Sequence, residues 1–201
     1  MVNQANPFQQ FAYITSAHNL KQLVPDTGSE VAFAGRSNAG KSSAINALVS
    51  QRALARTSNT PGRTQQIVFF GQDEKPYRFA DLPGYGYAKV PKKLRQHWEH
   101  TLGRYLQSRD SLKGLILVSD IRHALKDSDR AMLNWAADSQ IPAHVLLTKA
   151  DKVSKNKAIQ THRKIQTELV SYGQTCQIFS VLKKIGVDEA RKQVSEWLEV
   201  F

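Results

Sequence analysis

Short apolar runs alternate along this chain with longer segments in which apolar side chains recur every three or four residues. The short runs are typical of buried strands, and the longer pattern is typical of amphipathic helices. Strands are predicted at residues 30–35, 65–71, 77–83, 114–120, 141–151 (running on into a loop) and 174–181. Helices are predicted at residues 41–51, 91–109, 125–139, 154–173 and 187–201. Because strands and helices alternate, the sequence predicts an α/β fold with a mostly parallel sheet of about six strands and helices on both faces.

Turn and capping residues refine this prediction. The connection between the second and third predicted strands is so short that it predicts an antiparallel hairpin, which makes the sheet mixed. Ser154 is the predicted N-cap of the fourth helix, and Gly173 is its predicted C-terminal stop. For the third helix, Asp127 and Ser128 are both candidates for the N-cap.

Composition and length restrict the possible classes of protein. The chain has 201 residues, 41% hydrophobic and 22% charged, and we expect one domain over 1–201 with a short N-terminal extension at about 1–28. The longest apolar runs are strand-sized, so no membrane span is expected, and the first twenty residues lack a signal-peptide pattern. The one cysteine, Cys176, excludes an internal disulfide and fits a reducing compartment. These features predict a cytoplasmic protein in which Cys176 is a buried small side chain.

The balance of charge indicates a polyanionic partner. Lys and Arg number 28 against 17 Asp and Glu, which gives a formal net charge of +11, and nucleic acid is the commonest partner of such surfaces. A basic protein without a nucleic-acid partner is the alternative. Stacking aromatic residues are not interleaved with the basic ones, so the predicted contact is with a phosphate backbone and depends on salt. The cationic clusters lie at 89–95, 149–157, 182–184 and 191–192.

A glycine-rich segment follows the first predicted strand. Residues 35–42, GRSNAGKS, fit the phosphate-loop pattern G-x-x-x-x-G-K-[ST], and an amphipathic helix follows them. The glycines allow successive backbone N–H groups to face phosphate oxygens, and the helix N-terminus adds partial positive charge. Lys41 would neutralise the β- and γ-phosphates, and the Ser42 hydroxyl would bind Mg²⁺. A glycine-rich turn with a solvated lysine is the alternative.

The segment DLPGY (81–85) ends a predicted strand and has the chemistry of a phosphate sensor. Asp81 lies where a carboxylate can hold a Mg²⁺-bound water, and Gly84 can offer its N–H to a γ-phosphate. Many GTPases then have a Gln that orients the attacking water, whereas this chain has Tyr85. A phenol cannot copy the paired donor and acceptor of an amide. We therefore expect Tyr85 to turn away from the nucleotide and pack on a partner or on the helix 91–109.

The segment TKAD (148–151) follows a later apolar strand and predicts the base that is recognised. Asp151 can accept hydrogen bonds from N1–H and N2–H of guanine, and adenine does not offer this pair of donors. The Lys149 stem can lie over the plane of the base. Ser180, near the end of the last predicted strand, and its neighbouring backbone can contact the guanine O6.

Together these residues resemble the EngB family (also called YihA or YsxC) of bacterial ribosome-assembly proteins, which are translation-factor-type GTPases. The resemblance implies a Ras-like P-loop GTPase domain that binds GTP or GDP with Mg²⁺ and assists assembly of the large ribosomal subunit. It also implies a role in septation and cell division. We expect a monomer whose partner is the large subunit or its precursor, through ribosomal RNA and ribosomal proteins. The resembling segments are spread over nearly the whole length of the chain: 14–25, 30–48, 59–70, 81–90, 148–151 and 179–188.

The predicted site residues follow from these motifs and from the resemblance. Lys41, Thr64 and Gly84 are the predicted catalytic residues. Mg²⁺ is predicted to bind Ser42, Thr64 and, through water, Asp81. The residues predicted to line the nucleotide are Gly35, Arg36, Ser37, Asn38, Ala39, Gly40, Lys41, Ser42, Ser43, Gly62, Arg63, Thr64, Gln65, Gln66, Asp81, Leu82, Pro83, Gly84, Thr148, Lys149, Ala150, Asp151, Phe179, Ser180 and Val181.

Two assignments in the loop that precedes the second strand are open from the residues alone. Thr60 and Thr64 both compete to complete the Mg²⁺ shell in the GTP state, and the EngB resemblance favours Thr64. Arg63 and Arg56 are candidates for an arginine finger in cis, although a solvated or RNA-binding loop arginine is far commoner.

Two residues depart from, or add to, the general GTPase pattern. Thr148 stands where the fourth motif usually has Asn, so one bracing contact is expected to be weakened, and the EngB pattern carries Thr here. In some related GTPases an Asn at the position of Asn38 helps to hold a K⁺ ion that stands in for the arginine finger. The alternative for Asn38 is a turn residue favoured for its backbone conformation.

The sequence therefore predicts a GTP-operated molecular switch that hydrolyses GTP slowly and docks on a pre-ribosomal particle. An RNA-binding assembly scaffold with a structural nucleotide site and no meaningful turnover is the alternative from another class. An ATP-dependent nucleic-acid enzyme is a third possibility, and Asp151 argues against it.

Overall fold

A mixed β-sheet runs through the residues that this computed structural model describes, 6–56, 66–72, 75–85 and 101–200. Two predictions are thereby confirmed, the mostly parallel α/β sheet and the antiparallel hairpin of the second and third predicted strands. The strands, numbered along the chain, are β1 Ala12–Ala17, β2 Ser29–Gly35, β3 Ile67–Gly71, β4 Tyr77–Asp81, β5 Leu112–Asp120, β6 Ala143–Thr148 and β7 Thr175–Ile178. Their order across the sheet is β1-β3-β4-β2-β5-β6-β7, and β3 alone is antiparallel to both of its neighbours.

Helices cover both faces of this sheet because alternate side chains of each strand point to opposite sides. On β5, Leu115 and Leu117 belong to one core, whereas Ile116 and Val118 belong to the other. The first core also contains buried residues of α2, α3 and α4, and the second contains those of α1 and α5. The described helical ranges are α1 Lys41–Val49, α2 101–108, α3 Asp127–Asp138, α4 Lys155–Val170 and α5 Val187–Leu198.

The strand β1 is one more than the sequence predicted, and it lies inside the segment that we treated as an extension. It pairs antiparallel with β3 at the edge of the sheet, and only Ala17 among its six residues is buried. Such a strand has almost no hydrophobic alternation to detect, so its pairing depends on β3 rather than on its own pattern. Just before it, Phe8 and Phe11 are buried with ring centroids 5.0 Å and 4.7 Å from that of Phe79.

The helix ends follow the predicted capping chemistry in one case and not in another. Ser154 is the N-cap of α4, and its hydroxyl accepts a hydrogen bond from the N–H of Lys157. Gly173 follows the end of α4 with a φ of 65°, as a glycine stop requires. The prediction of Asp127 or Ser128 as the N-cap of α3 was wrong, because the N-cap is Lys126.

The helix predicted at 91–109 is described only from residue 101 onward. There Leu102, Tyr105 and Leu106 are buried, as the helical spacing predicted; Leu94 and Trp98 lie outside the described residues. Cys176 is buried on β7, and burial raises the pKa of its thiol to about 11. None of the helices in the described ranges is both long and apolar enough to cross a membrane.

A buried ion cluster lies at the start of β2, the opposite end of that strand from the glycine-rich loop. The carboxylate of Glu30 accepts hydrogen bonds from Nε of Arg78 at 2.8 Å and from Nη2 of Arg109 at 3.0 Å. Tyr105 of α2 donates its hydroxyl to the same carboxylate. Because a buried carboxylate is tolerated only with such partners, the cluster fixes the end of α2 against β2 and β4.

Candidate nucleotide-binding site

The glycine-rich loop connects the carboxyl end of β2 to α1 and has the geometry of an anion cradle. A Cβ atom on Gly35 would lie 2.6 Å from the carbonyl oxygen of Val118, so only glycine fits where β2 passes β5. Gly40 caps α1 with a φ of 100°, a conformation that favours glycine. The N-terminus of α1, with its unpaired N–H groups, therefore faces the space beyond the sheet edge.

Lys41 and Asp81 form an ion pair at the mouth of this loop, with side chains that are 12% and 10% exposed. They meet because β2 and β4 are parallel neighbours, with Phe33 opposite Asp81 in the register. A nucleotide with Mg²⁺ would exchange this pair for two other contacts. The ammonium would face phosphate oxygens, and the carboxylate would face the metal's water shell.

The donor set fits Mg²⁺, a hard cation that takes oxygen ligands and keeps several waters. Ser42, the second residue of α1, offers a hydroxyl one residue from Lys41, whose ammonium contacts the Asp81 carboxylate. In the described ranges there is no group of three or more His, Cys, Asp and Glu side chains that would hold a metal by itself. A site of this kind relies on phosphate oxygens for the rest of the shell, as Mg²⁺ sites of nucleotide-binding proteins do.

The segment after Asp81 lies directly against the glycine-rich loop. Leu82 N–H donates to Phe33 O at 2.9 Å, and Ser37 N–H donates to Tyr85 O at 3.1 Å. A Cβ atom on Gly84 would lie 3.2 Å from the hydroxyl oxygen of Ser37. Gly84 therefore sits beside the phosphate-binding backbone, where a γ-phosphate is expected.

The side chain of Tyr85 points away from this backbone, and its hydroxyl contacts α3, a partner that we did not predict. The hydroxyl donates to Oδ1 of Asp129 in α3 at 2.9 Å, and the partly buried ring packs against the core that includes α3. Burial, and after it the negative charge of Asp129, raises the pKa of Tyr85 well above its usual value. The phenol therefore stays protonated and acts as a donor at neutral pH.

Thr148, at the end of β6, contacts the glycine-rich loop. Its buried hydroxyl donates to the carbonyl of Ala39 at 2.6 Å, with the carbonyl of Ser119 as a second acceptor at 3.2 Å. The bracing contact that we expected to be weakened by Thr in place of Asn is thus present. The loop that follows β6 is fixed to the phosphate loop by this bond.

Lys149 reinforces the same connection from the next position. Its Nζ donates to the carbonyl of Asn38 at 2.6 Å and lies 3.1 Å from Oδ2 of Asp120. The stem of Lys149 therefore reaches from the base-recognition loop to the phosphate loop. Asn38 itself is exposed and has a φ of 64°, which agrees with the turn role that we gave as the alternative to K⁺ binding.

Asp151 is held in place by Ser180, which follows β7. The Ser180 hydroxyl donates to Oδ1 of Asp151 at 2.6 Å, and Ser180 is fully buried. This hydrogen bond holds the pKa of Asp151 below its usual value. An ionised carboxylate offers only acceptors, so this geometry suits the paired N–H donors of guanine.

Two carboxylates outside the predicted set belong to the site. Burial alone would raise the pKa of Asp120, but hydrogen bonds from Arg122 and Lys149 outweigh it and hold that pKa well below its usual range. Asp120 ends β5, and a carboxylate at the carboxyl end of a parallel strand is a pattern that could have indicated it. Asp129 lies in the first turn of α3, and its contact with Tyr85 connects it to the site.

The predicted site residues fall into three groups in the structure. Those on the phosphate loop, the 81–84 segment and the loops after β6 and β7 gather at the carboxyl edge of the sheet. Gln66 directly precedes β3, and its amide contacts the ring of His18. The predictions for Thr60, Gly62, Arg63, Thr64 and Gln65 lie outside the described residues.

The sequence of this chain is similar to those of known GTP-binding proteins. A family model described as 50S ribosome-binding GTPase matches residues 30–149. A probable GTP-binding protein EngB of Stenotrophomonas maltophilia (strain K279a) is 57% identical over 189 residues, which are 92% of this chain and 94% of that protein. The protein of the same name from Coxiella burnetii (strain RSA 493 / Nine Mile phase I) is 50% identical over 195 residues, 96% of this chain and 95% of its own.

A crystal structure of a probable GTP-binding protein EngB superposes with a TM-score of 0.68 and covers 85% of this chain and 99% of that one. Its sequence identity is 19%, so this likeness shows the fold alone. The family follows from the two close relatives and from the family model, which spans more than half of the chain. The chain belongs to the EngB family of GTP-binding proteins and is a P-loop GTPase.

Proposed function

We propose that this protein is a cytoplasmic, monomeric GTP-operated switch that hydrolyses GTP slowly and assists assembly of the large ribosomal subunit. One domain over 1–201 performs this function, and normal septation and cell division depend on it. The observation that carries the proposal is the contact between the two recognition loops. Thr148 and Lys149 join the guanine loop to the phosphate loop through the carbonyls of Ala39 and Asn38.

The phosphates are bound by the loop at the N-terminus of α1. Lys41 faces the β- and γ-phosphates, and Gly84 donates its N–H to the γ-phosphate. Ser42, Thr64 and, through water, Asp81 hold Mg²⁺, which when bound neutralises charge on the phosphate oxygens. The ion pair of Lys41 with Asp81 supports these roles because it brings an ammonium and a carboxylate to one point beside α1.

The base is selected by Asp151. Its carboxylate accepts N1–H and N2–H of guanine, and the hydrogen bond from Ser180 keeps it ionised and fixed in orientation. Lys149, whose stem covers the base, and the backbone around Ser180, which contacts the guanine O6, complete the pocket. Adenine, which has no matching pair of donors, is rejected because the buried acceptors would be left unpaired.

Slow turnover follows from the position of Tyr85. Its hydroxyl is committed to Asp129, and a phenol cannot both donate to and accept from an attacking water as an amide does. A K⁺ ion held by Asn38, or a group supplied by the ribosomal particle, takes the place of the glutamine. Turnover measured in KCl and NaCl distinguishes these two, since equal rates would exclude K⁺.

Docking on a ribosomal particle is supported by the description of the family model and by the distribution of charge. Exposed lysines surround the guanine loops: Lys152, Lys155, Lys157, Lys183 and Lys184. Leu182 lies among these lysines and is 72% exposed, so this surface offers an apolar side chain as well as positive charge. Because such a contact releases counterions from RNA, rising salt should strip the protein from the particle.

Nucleotide titration tests the first half of the proposal. The wild type should bind GTP and GDP far more tightly than ATP, and Asp151→Asn should move the preference from guanosine to xanthosine nucleotides, whose C2 carbonyl replaces the amino group. A wild type that prefers ATP would overturn the guanine assignment. Turnover with and without large ribosomal subunits then separates the switch from the scaffold, because a scaffold shows no hydrolysis in either condition.

A further inference from the structure

Tyr85 stands in the glutamine position and is held at three points. Its N–H donates to the carbonyl of Gly35 at 3.4 Å, and its carbonyl accepts the N–H of Ser37 at 3.1 Å. Its hydroxyl donates to Oδ1 of Asp129 at 2.9 Å. The first two bonds extend the pairing of β2 with β4 into the phosphate loop, whereas the third crosses to α3.

The acceptor of the third bond is itself fixed. Asp129 is 1% exposed, and its Oδ2 accepts the N–H of Lys126 at 3.0 Å, one turn before it in the chain. The hydroxyl of Ser119, at the end of β5, lies 3.5 Å from the same oxygen. The carboxylate therefore cannot follow Tyr85 if that side chain moves, and it acts as an anchor.

Gly84 lies between Tyr85, which these hydrogen bonds hold in place, and the phosphate loop. It is exposed, and a Cβ atom built on it would lie 3.2 Å from the hydroxyl oxygen and 3.5 Å from the backbone nitrogen of Ser37. A glycine in this position has no side chain to hold it, so its placement depends on its neighbours. Its neighbour Tyr85 contacts the phosphate loop through its backbone and α3 through its hydroxyl.

We propose that Asp129 is a positioning residue for GTP hydrolysis, acting through the Tyr85 hydroxyl to fix Gly84 against the phosphate loop. Tyr85, which stands in the glutamine position, thus contributes by holding the backbone of Gly84 in place rather than by touching the attacking water. This inference rests on the proposed function in one respect, the contact of Gly84 with the γ-phosphate. It follows that steps involving the γ-phosphate depend on the pair, and that GDP binding does not.

The decisive variant is Tyr85→Phe, which keeps the ring and removes only the hydroxyl. We expect the affinity for a non-hydrolysable GTP analogue and the single-turnover rate at saturating GTP each to fall about tenfold, as for the loss of one hydrogen bond to a carboxylate. The affinity for GDP should stay within about twofold of wild type, because GDP has no γ-phosphate for Gly84 to contact.

The matched control is Tyr105→Phe. It also removes a tyrosine hydroxyl from a buried carboxylate, that of Glu30, but at the far end of β2. It should lower the melting temperature without changing the rate or the ratio of GTP-analogue to GDP affinity. If Tyr85→Phe behaves like this control, the pair is structural only and the inference is overturned.

A double-mutant cycle with Asp129→Asn tests whether the two residues act as one unit. In the combined variant we expect the loss of rate to be no larger than that of the more severe single variant, whereas losses that multiply would overturn the inference. If Asp129→Asn does not fold, Tyr85→Phe and its control decide alone. A wild type without any turnover would instead contradict the proposed function, which is a separate outcome.

Discussion

The hydroxyl of Thr148 donates a hydrogen bond to the carbonyl of Ala39 over 2.6 Å, although 109 residues separate them in the chain. This bond joins the loop that recognises the base to the loop that holds the phosphates. Thr148 is 3% exposed, so an unpaired Ala39 carbonyl could not be satisfied by water at that point.

Replacement of Thr148 by Val should therefore weaken binding of both GTP and GDP about tenfold. Valine fills a similar volume but leaves the carbonyl of Ala39 without its donor, which typically costs about 1–3 kcal/mol. Isothermal titration with GDP measures the effect. Thr148→Ser, which keeps the hydroxyl, is the control and should bind much more tightly than Thr148→Val; equal affinities for the two variants would contradict the role given to this bond.

The pH dependence of GDP binding should reveal the Ser180–Asp151 contact. Guanine recognition needs the ionised carboxylate, and the bond from Ser180 lowers the pKa of Asp151 from its ordinary value of 3.8. Because the pKa in the folded protein is lowered, the ionised form persists as pH falls through the usual range of an aspartate and is lost only below it. GDP affinity should therefore not decline through this group until the solution is more acidic than about pH 4.

Ser180→Ala supplies the comparison for that titration. Without the hydroxyl the pKa of Asp151 should return toward its ordinary value, so the variant should lose affinity at a higher pH than the wild type. Fluorescence titration of a labelled GDP from about pH 7 to about pH 3 covers the range in which the two curves should separate. Other titrating groups act equally on the two proteins and cancel in the difference. Curves that coincide in shape would contradict the assignment.

Arg109→Met should destabilise the protein by about 3 kcal/mol, because it leaves part of the buried Glu30 carboxylate unpaired. Arg109 donates through both Nε and Nη2 to that carboxylate, so Arg78 and Tyr105 cannot replace every contact. Urea denaturation measures the free energy of unfolding. The control is Arg104→Met, because Arg104 is an exposed arginine of the adjoining helix α2 and its loss should change the free energy of unfolding by less than about 0.5 kcal/mol.

The folded Arg109→Met protein should bind GDP as the wild type does, since the ion cluster lies at the opposite end of β2 from the phosphate loop. A large loss of GDP affinity in protein shown to be folded would mean that the cluster also shapes the site.

Phe8→Ala should cost about 3–5 kcal/mol of stability, the usual range for removing a buried aromatic ring. Phe8 is 0% exposed and packs edge-on to Phe11 with ring centroids 5.4 Å apart. Urea denaturation again provides the measurement. Tyr13→Ala is the control, because that ring is 59% exposed on β1 and should contribute little. A small effect of Phe8→Ala would show that residues before β1 are not part of the core.

Much of the fold could be predicted because its elements carry their own local patterns. The apolar run of β5 and the helical spacing of Leu102, Tyr105 and Leu106 are visible from neighbouring residues alone, and both proved correct. β1 could not be predicted, since five of its six residues are at least partly exposed and its strand character comes from pairing with β3. The N-cap of α3 failed for a related reason, as several polar residues in a row offered equivalent local signals.

The sequence by itself determined the chemistry of this protein: a phosphate loop at 35–42, a carboxylate at Asp81 and a guanine acceptor at Asp151, in chain order. Such motifs are contiguous, so their chemistry can be recognised without knowing what surrounds them. Only the tertiary structure decided where the hydroxyls of Thr148 and Tyr85 are bound. Those partners lie far away in the chain, and a hydrogen bond forms only at a distance and angle that the packed sheet and helices set.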